Sequence, residues 1–197
     1  MEECDGAYPV LKWPPMTITS ESSKIGQQSK TAEKKQLPHT SVTVRISAHS
    51  DAESIIAIDE VAAFDRSRVN FIYRHISSRN CYVAVLDSQV VGYGVLEYTF
   101  FKNGFISMVY VRPESRRRGV ASALVRYMEE MCKTEKIFAS TNQANLPVQS
   151  LLKKITYQAS GTIDNLDKNN RKLIYFKQIT GETTGQIQNT TNAEGPQ

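Results

Sequence analysis

Apolar and polar positions in the middle of the chain recur with two periods, and the period changes from one segment to the next. Continuous or alternating apolar runs predict strands at 42–47, 81–86, 90–101, 105–111, 136–141, 157–163 and 171–177. Apolar residues three and four positions apart predict four helices, two between the first and second strands, one after residue 119, and one over 145–155. The resulting order, β-α-α-β-β-β-α-β-α-β-β, predicts an α/β fold with a mixed sheet and helices on its faces.

Local signals refine these boundaries. Ser50 followed by Glu53 is typical of a helix start with Ser50 as N-cap, and Asn145 is a good N-cap for the last helix. The pair Asn103-Gly104 predicts a tight hairpin turn. The predicted inward faces of the second and third helices are Val69, Ile72, Tyr73 and Ile76, and then Val120, Leu124, Tyr127 and Met131.

The two ends of the 197-residue chain differ from its middle. Residues 1–41 and 179–197 are polar and lack a sustained period, so we predict a disordered N-terminal arm and a disordered C-terminal tail around one domain at 42–178. The three cysteines, Cys4, Cys81 and Cys132, are far apart and predict neither a disulfide framework nor a metal site. With no secretory signal and no apolar run of membrane-spanning length, the expected location is the cytoplasm.

The charge of the predicted domain suits an anionic ligand. It carries 19 basic against 13 acidic residues, which is too small an excess to indicate nucleic acid by itself. The three histidines, His39, His49 and His75, form no cluster and are expected at the surface.

The most informative segment joins the strand ending at Val111 to the third helix. Arg116, Arg117 and Arg118 precede Gly119, and small residues follow within the first helical turn. Unpaired amides and the dipole of a helix N-terminus attract anions, and arginine adds donors that stay ionised. The segment therefore predicts a pyrophosphate site, although neither the Walker pattern nor GxGxxG is present.

The pattern Arg116-x-x-Gly119-x-Ala121 resembles the coenzyme A signature of the GNAT superfamily of N-acetyltransferases. The element order over 42–178 and the segment 140–161 are similar to that family as well. The resemblance implies a mostly antiparallel sheet of about seven strands with four helices. It also implies acetyl-CoA as co-substrate, no metal, and direct acetyl transfer to a primary amine.

The resemblance also assigns binding residues. Backbone groups of Val109, Tyr110 and Val111 would bind the pantetheine arm, orient the thioester and hold the oxyanion. Asn145 would contact the pantetheine. The pyrophosphate would be held by a continuous segment, namely Arg116, Arg117, Arg118, Gly119, Val120, Ala121 and Ser122.

The chain departs from the family pattern at the positions of the catalytic groups. Leu152 occupies the position where many relatives carry an acidic tyrosine, and Thr156 replaces a common glycine. Tyr157 or Tyr110 could donate the proton instead, or the thiolate could leave unassisted. For the base we favour Glu97, a lone carboxylate in an apolar strand, since burial makes a carboxylate a better proton acceptor. A strand-end carboxylate that reaches solvent or an arginine is the alternative.

Several functions stay open at this point. A non-catalytic acyl-CoA-binding module and, more weakly, a nucleic-acid binder compete with the enzyme. The acceptor could be a small amine, an aminoglycoside, an amino acid, a peptide N-terminus or a protein lysine. Asp164 and Asp167 are expected in a turn, where they could also face a cationic substrate. We expect a monomer or a homodimer that binds neither nucleic acid nor membrane.

Overall fold

Seven strands form one continuous sheet in the computed structural model, which describes residues 41–167 and 170–179. Their spatial order is β1-β2-β3-β4-β5-β7-β6, and every neighbouring pair is antiparallel except β4 and β5. The strands are β1 Thr43–Ile46, β2 Cys81–Leu86, β3 Gln89–Phe100, β4 Asn103–Val111, β5 Lys136–Asn142, β6 Gln158–Asp167 and β7 Asn170–Gln178. The predicted order and the mostly antiparallel sheet are confirmed. The predicted disordered arm and tail lie outside the described residues, except for residues 41 and 179.

Four α-helices cover the sheet, two on each face. They are α1 Ala52–Ile58, α2 Arg66–Ser77, α3 Val120–Glu130 and α4 Leu146–Lys154. Short 3₁₀ turns precede α1 and α3, at His49–Asp51 and Pro113–Ser115. Within the described ranges no helix is both long and apolar enough to cross a membrane.

The apolar core is divided by the sheet into two clusters. Helices α1 and α2 pack against side chains of β2, β3 and β4, including Tyr93, Val95 and Met108. Helices α3 and α4 pack on the other face, where Leu124 and Leu152 join residues from most strands. Cys81, which is fully buried between α1–α2 and the sheet, behaves as a small apolar residue, because burial raises the pKa of its thiol to about 11.

The sheet is interrupted between β4 and β5. These parallel strands pair only from Gly104 to Ile106 on β4, against Ile137 to Ala139 on β5. Beyond that point residues 108–111 pair only with β3, and 140–142 pair only with β7. The register of β4 against β3 also skips Ser107, as in a β-bulge. One edge of β4 is therefore free of a strand partner, and we call the opening beside it the β4–β5 split.

The start of α1 differs from the prediction. Ser50 lies within the 3₁₀ turn and Asp51 is the residue that precedes α1, so the expected cap at Ser50 was wrong. The Asp51 carboxylate accepts a hydrogen bond from the Ala48 amide at 2.7 Å and two from Arg45 at 2.7 and 2.8 Å. These bonds start the turn two residues earlier than the predicted cap.

The β3–β4 turn also lies elsewhere. Phe101 and Lys102 form it, with φ angles of 48° and 62°, whereas Asn103 and Gly104 already belong to β4. The predicted turn at Asn103-Gly104 was therefore wrong by two residues. Gly104 serves packing instead, because a Cβ there would lie 2.5 Å from the sulfur of Cys132.

Two helix faces are rotated from those expected. Tyr73 on α2 is 43 % exposed and Met131, just after α3, is 45 % exposed, so both were wrongly placed inward. The buried face of α2 carries Arg68 and His75 instead, beside Ile72. The expectation that His75 is a surface residue was wrong.

Candidate active site

The loop between β4 and α3 is held in place by its own arginines. Arg112 Nε donates to Ser115 Oγ at 3.0 Å, across the 3₁₀ turn that Pro113 begins. Arg116 Nε donates to the carbonyl oxygen of Val111 at 3.0 Å and so fastens the loop to the end of β4. The sequence therefore builds a rigid connection between the free edge of β4 and the start of α3.

The N-terminus of α3 forms a concave group of backbone amides. Arg117 and Gly119 have φ angles of 60° and 82°, and Gly119 is the N-cap of the helix. Such left-handed residues before a helix turn successive N–H groups toward one point, and the first-turn amides have no acceptor within the helix. A Cβ on Gly119 would meet none of the described atoms within 4 Å, so the space above it is open.

The charge at this position matches the geometry. Arg117 and Arg118 are exposed beside the amides of Val120, Ala121 and Ser122. A helix N-terminus with neighbouring guanidinium groups attracts phosphate. The structure thus brings together the residues predicted for the pyrophosphate.

Five of the buried polar atoms that lack a partner belong to residues that flank the β4–β5 split. Each is buried and has no hydrogen-bond partner among the described residues: Ser107 Oγ, Arg116 Nη2, Thr141 Oγ1, Asn142 Oδ1 and Asn145 Nδ2. Buried polar groups are rarely left unpaired without a reason. An extended ligand with amides and phosphates would supply partners along this line, and the free edge of β4 beside it offers backbone groups. The residues present therefore fit coenzyme A.

Asn145 combines two roles at one end of the split. Its Oδ1 accepts a hydrogen bond from the Val148 amide at 3.3 Å, so it is the N-cap of α4. Its Nδ2 is buried and unpaired within the described chain. The cap therefore leaves the amide donor available to a ligand.

Glu97 lies on the α1–α2 side of the sheet, on β3 opposite Phe105. Its carboxylate is 15 % exposed, 3.5 Å from His75 Nε2, and accepts a hydrogen bond from Thr99 Oγ1 at 3.2 Å. Burial lowers the pKa of His75, Arg74 lowers it further, and Glu97 opposes both. The structure thus places a carboxylate and an imidazole side by side on the face opposite α3 and α4.

Tyr110 turns its side chain toward α1 and α2. Its hydroxyl oxygen accepts a hydrogen bond from the Glu60 amide at 3.2 Å, and its ring stacks on Tyr93 at 6.1 Å. Burial raises the pKa of the Tyr110 hydroxyl. Its backbone lies on the free edge of β4, but its side chain serves to fasten the segment after α1.

Tyr157 lies far from these groups. Its ring is under the ammonium of Lys177, 5.9 Å away, and Lys177 pairs with Ile137 near the start of β5. Gly104 is the β4 partner of Ile137, so Val109 lies about 16 Å further along β4 at ~3.3 Å per residue. Burial also raises the pKa of the Tyr157 hydroxyl. The structure does not bring Tyr157 to the split.

A buried ionic network beside β4 was missed by the sequence reasoning. Tyr93 donates to Asp59 at 2.6 Å, Arg68 Nε lies 3.8 Å from the same carboxylate, and Arg68 Nη1 contacts Met108 Sδ at 3.1 Å. The signal was present in the helix period, because Arg68 and His75 fall four before and three after Ile72. Polar residues at core positions of an amphipathic helix are the exception that marks such networks.

Other site types find no support in the described part of the chain. Between residues 41 and 179, apart from 168 and 169, no group of three or more His, Cys, Asp or Glu residues could hold a metal ion. Asp164, considered for a cationic substrate, is exposed and pairs with Arg171 at 2.6 Å.

Comparison with known proteins bears on the family of the chain. The model of the acetyltransferase (GNAT) family matches residues 49–157. A GNAT-family acetyltransferase from Bacillus cereus is 31 % identical with a TM-score of 0.68, over 72 % of this chain and 99 % of that one. No protein of curated function matches the chain significantly.

Two further solved structures share the fold at lower identity. An N-acetyltransferase from Staphylococcus aureus is 16 % identical with a TM-score of 0.60, covering 71 % of this chain and 99 % of that one. A GNAT-family acetyltransferase from Streptococcus agalactiae is 16 % identical with a TM-score of 0.59, covering 72 % and 96 %. The family match spans both halves of the split and the loop that carries the arginines. The chain therefore belongs to the GNAT family of acetyltransferases, enzymes whose acetyl donor is acetyl-CoA.

Proposed function

We propose that this acetyltransferase transfers the acetyl group of acetyl-CoA directly to a primary amine. The observation that carries the proposal is the line of unpaired buried polar atoms along the split, which ends at the amides of α3. A ligand with phosphates at one end and an extended amide chain behind them matches this line. The acyl end would then lie deep in the split, within reach of the opposite face of the sheet.

The donor would be held by groups of three kinds. Arg117, Arg118 and the amides after Gly119 bind the pyrophosphate by charge and hydrogen bonds. Backbone groups of Val109, Tyr110 and Val111 on the free edge bind the pantetheine as a strand would. A backbone N–H on this edge stabilises the oxyanion that forms when an amine adds to the thioester carbonyl.

The proton of the amine would be taken on the α1–α2 face. The neutral amine forms a bond to the carbonyl carbon, the carbon–sulfur bond breaks, and the coenzyme A thiolate leaves. Through a chain of waters, Glu97 accepts the proton that the new amide nitrogen loses, since its register partner Phe105 lies four residues, about 13 Å at ~3.3 Å per residue, before Val109 on β4. His75 Nε2 lies 3.5 Å from the Glu97 carboxylate.

No acid is assigned to the leaving thiolate. Leu152, at the position where a tyrosine is common, is 3 % exposed in the core and has no proton to donate. Tyr157 lies too far along β4 to replace it, and the Tyr110 hydroxyl is turned to the segment after α1, where it accepts a hydrogen bond from the Glu60 amide. A thiol is acidic enough for its thiolate to leave unassisted.

The test is turnover with a defined set of amines. The full-length protein is incubated with acetyl-CoA and amino-acid amides, a polyamine and an aminoglycoside, and thiol release is followed with a chromogenic disulfide. We expect turnover with at least one amine and an increased KM for acetyl-CoA in Arg118→Ala. Saturable acetyl-CoA binding without turnover on any amine would contradict the proposal and favour an acyl-CoA-binding module.

The cytoplasmic location, a monomeric or homodimeric state and the lack of nucleic-acid binding remain predictions. A direct check of the last is oligonucleotide binding at low salt. Binding that competes with coenzyme A would contradict the prediction, because it would place nucleic acid on the same arginines.

A further inference from the structure

Four phenylalanines form a continuous strip on the sheet face that carries Glu97. Phe100 stacks on Phe105 at 5.0 Å and lies 5.1 Å from Phe138, which is 6.0 Å from Phe176. Phe105, Phe138 and Phe176 are direct register partners across β4, β5 and β7. We call this set the phenylalanine strip.

The strip is not part of either apolar core. Neither cluster of the described residues includes any of its four members, and each side chain is partly exposed. The cluster under α1 and α2 takes residues from β2 to β4 and none from β5 or β7. Aromatic side chains of this size contribute to a core when they are covered, so a partly open strip needs another explanation.

The position of the strip connects it to the proposed chemistry. Glu97 pairs in register with Phe105, and Phe105 pairs with Phe138, so the candidate base lies at the end of the same row. Phe105 lies two residues before Ser107, where the β4–β5 split opens, and Phe138 lies opposite Phe105 on β5. An amine held near Glu97 would therefore extend its substituent across the strip.

We propose that the phenylalanine strip is the acceptor-binding surface and selects primary amines that carry an aromatic or branched aliphatic group. This inference rests on the proposed amine acetyltransferase function and names its substrate class. The strip buries the apolar group of the acceptor, and Glu97 at the end of the row receives the proton of its amine.

The decisive measurement compares two acceptors of similar length with the wild-type protein. Phenylalaninamide and glutaminamide carry the same α-amine, and kcat/KM is measured for each at saturating acetyl-CoA. We expect a preference of about tenfold or more for phenylalaninamide, since burying an aromatic side chain contributes at least that much. Equal values, or a preference for glutaminamide, would overturn the inference and leave the proposed function standing.

Variants then locate the preference on the strip. Phe138→Ala is expected to reduce the phenylalaninamide-to-glutaminamide ratio about tenfold, and Phe138→Leu less, because leucine keeps an apolar side chain. Tyr73→Ala, at an aromatic residue that is 43 % exposed on α2, is the control and should keep the wild-type ratio. A ratio unchanged in Phe138→Ala would place the preference elsewhere and overturn the assignment.

The two proposals fail in different ways. Acetyl-CoA binding with no turnover on any amine would overturn both the function and the substrate class. Turnover on amines without apolar preference would overturn the substrate class alone. If neither Phe138 variant folds, the wild-type ratio still decides between these outcomes.

Discussion

Gly119 is the residue where a single added methyl group should separate binding from stability. In Gly119→Ala the new Cβ enters open space, since none of the described atoms lies within 4 Å of it. The backbone there has φ of 82°, a left-handed conformation that costs a residue with a Cβ about 1–2 kcal/mol. The folded protein should therefore lose about that much free energy of unfolding, with no collision inside the protein.

The loss of donor binding should be larger than the loss of stability. The methyl group would lie above the amides that we propose for the pyrophosphate and would move the phosphate away from them. Hydrogen bonds to a charged group contribute about 1.5–3 kcal/mol each, so losing one corresponds to about a 10- to 100-fold higher KM for acetyl-CoA. Thiol release under initial-rate conditions measures this KM, and urea unfolding followed by circular dichroism measures stability.

Gly161 on β6 is a matched control for this substitution. It too has a positive φ, 152°, and its Cβ would meet no described atom within 4 Å. Gly161→Ala should cost similar stability and leave the KM for acetyl-CoA unchanged. If both variants raise this KM equally, or if Gly119→Ala leaves it at the wild-type value, the assignment of the pyrophosphate to this loop is refuted.

Four other residues give specific expectations. Arg68→Met removes the cation beside the buried Asp59 carboxylate and should cost about 3–5 kcal/mol in urea unfolding, whereas Arg45→Met, which removes a half-exposed guanidinium, should cost about 1 kcal/mol or less; equal costs would contradict this. Burial lowers the pKa of His75, so just below pH 6.5 the imidazole takes up a proton in the unfolded chain and not in the folded one. The free energy of unfolding should therefore fall as the pH drops through that value. A His75→Gln variant with the same pH dependence of unfolding would argue against this. Glu97→Gln should reduce kcat/KM and abolish the fall of kcat/KM at acidic pH. An unchanged pH profile would exclude Glu97 as the base. Tyr157→Phe should leave the rate of thiol release within about twofold, because the hydroxyl is remote from the split; a large fall in kcat would show that distance to be wrong.

The helices and strands could be predicted from the sequence, because the period of their apolar residues identifies each type. Each strand and helix has enough apolar residues to define its type, and the loop from Arg116 to Ser122 is contiguous, so its geometry follows from local rules. The β3–β4 turn was missed because Asn103-Gly104 matches a turn pattern, whereas Gly104 is required by the nearby sulfur of Cys132. A glycine that allows a turn and a glycine that allows close packing look the same in a sequence.

The acceptor side could not be predicted in the same way. The row from Glu97 to Phe176 joins residues that are almost 80 positions apart, and only the register of four strands makes them neighbours. Arg68 and His75 could not be recognised from the period of α2, because that period identifies a buried face only by its apolar residues. Tyr157 is close in sequence to α4, but closeness in sequence does not give the distance along β4 between Tyr157 and the β4–β5 split.

One topological feature accounts for both halves of the donor site. Parallel neighbours such as β4 and β5 cannot be joined by a hairpin, so α3 must cross over between them. That helix begins where β4 ends, which places its N-terminal amides beside the opening of the split. Donor binding thus depends on the crossover, while the phenylalanine strip depends on side chains of the opposite face. Substitutions in the strip should therefore change the choice of amine while the KM for acetyl-CoA stays the same.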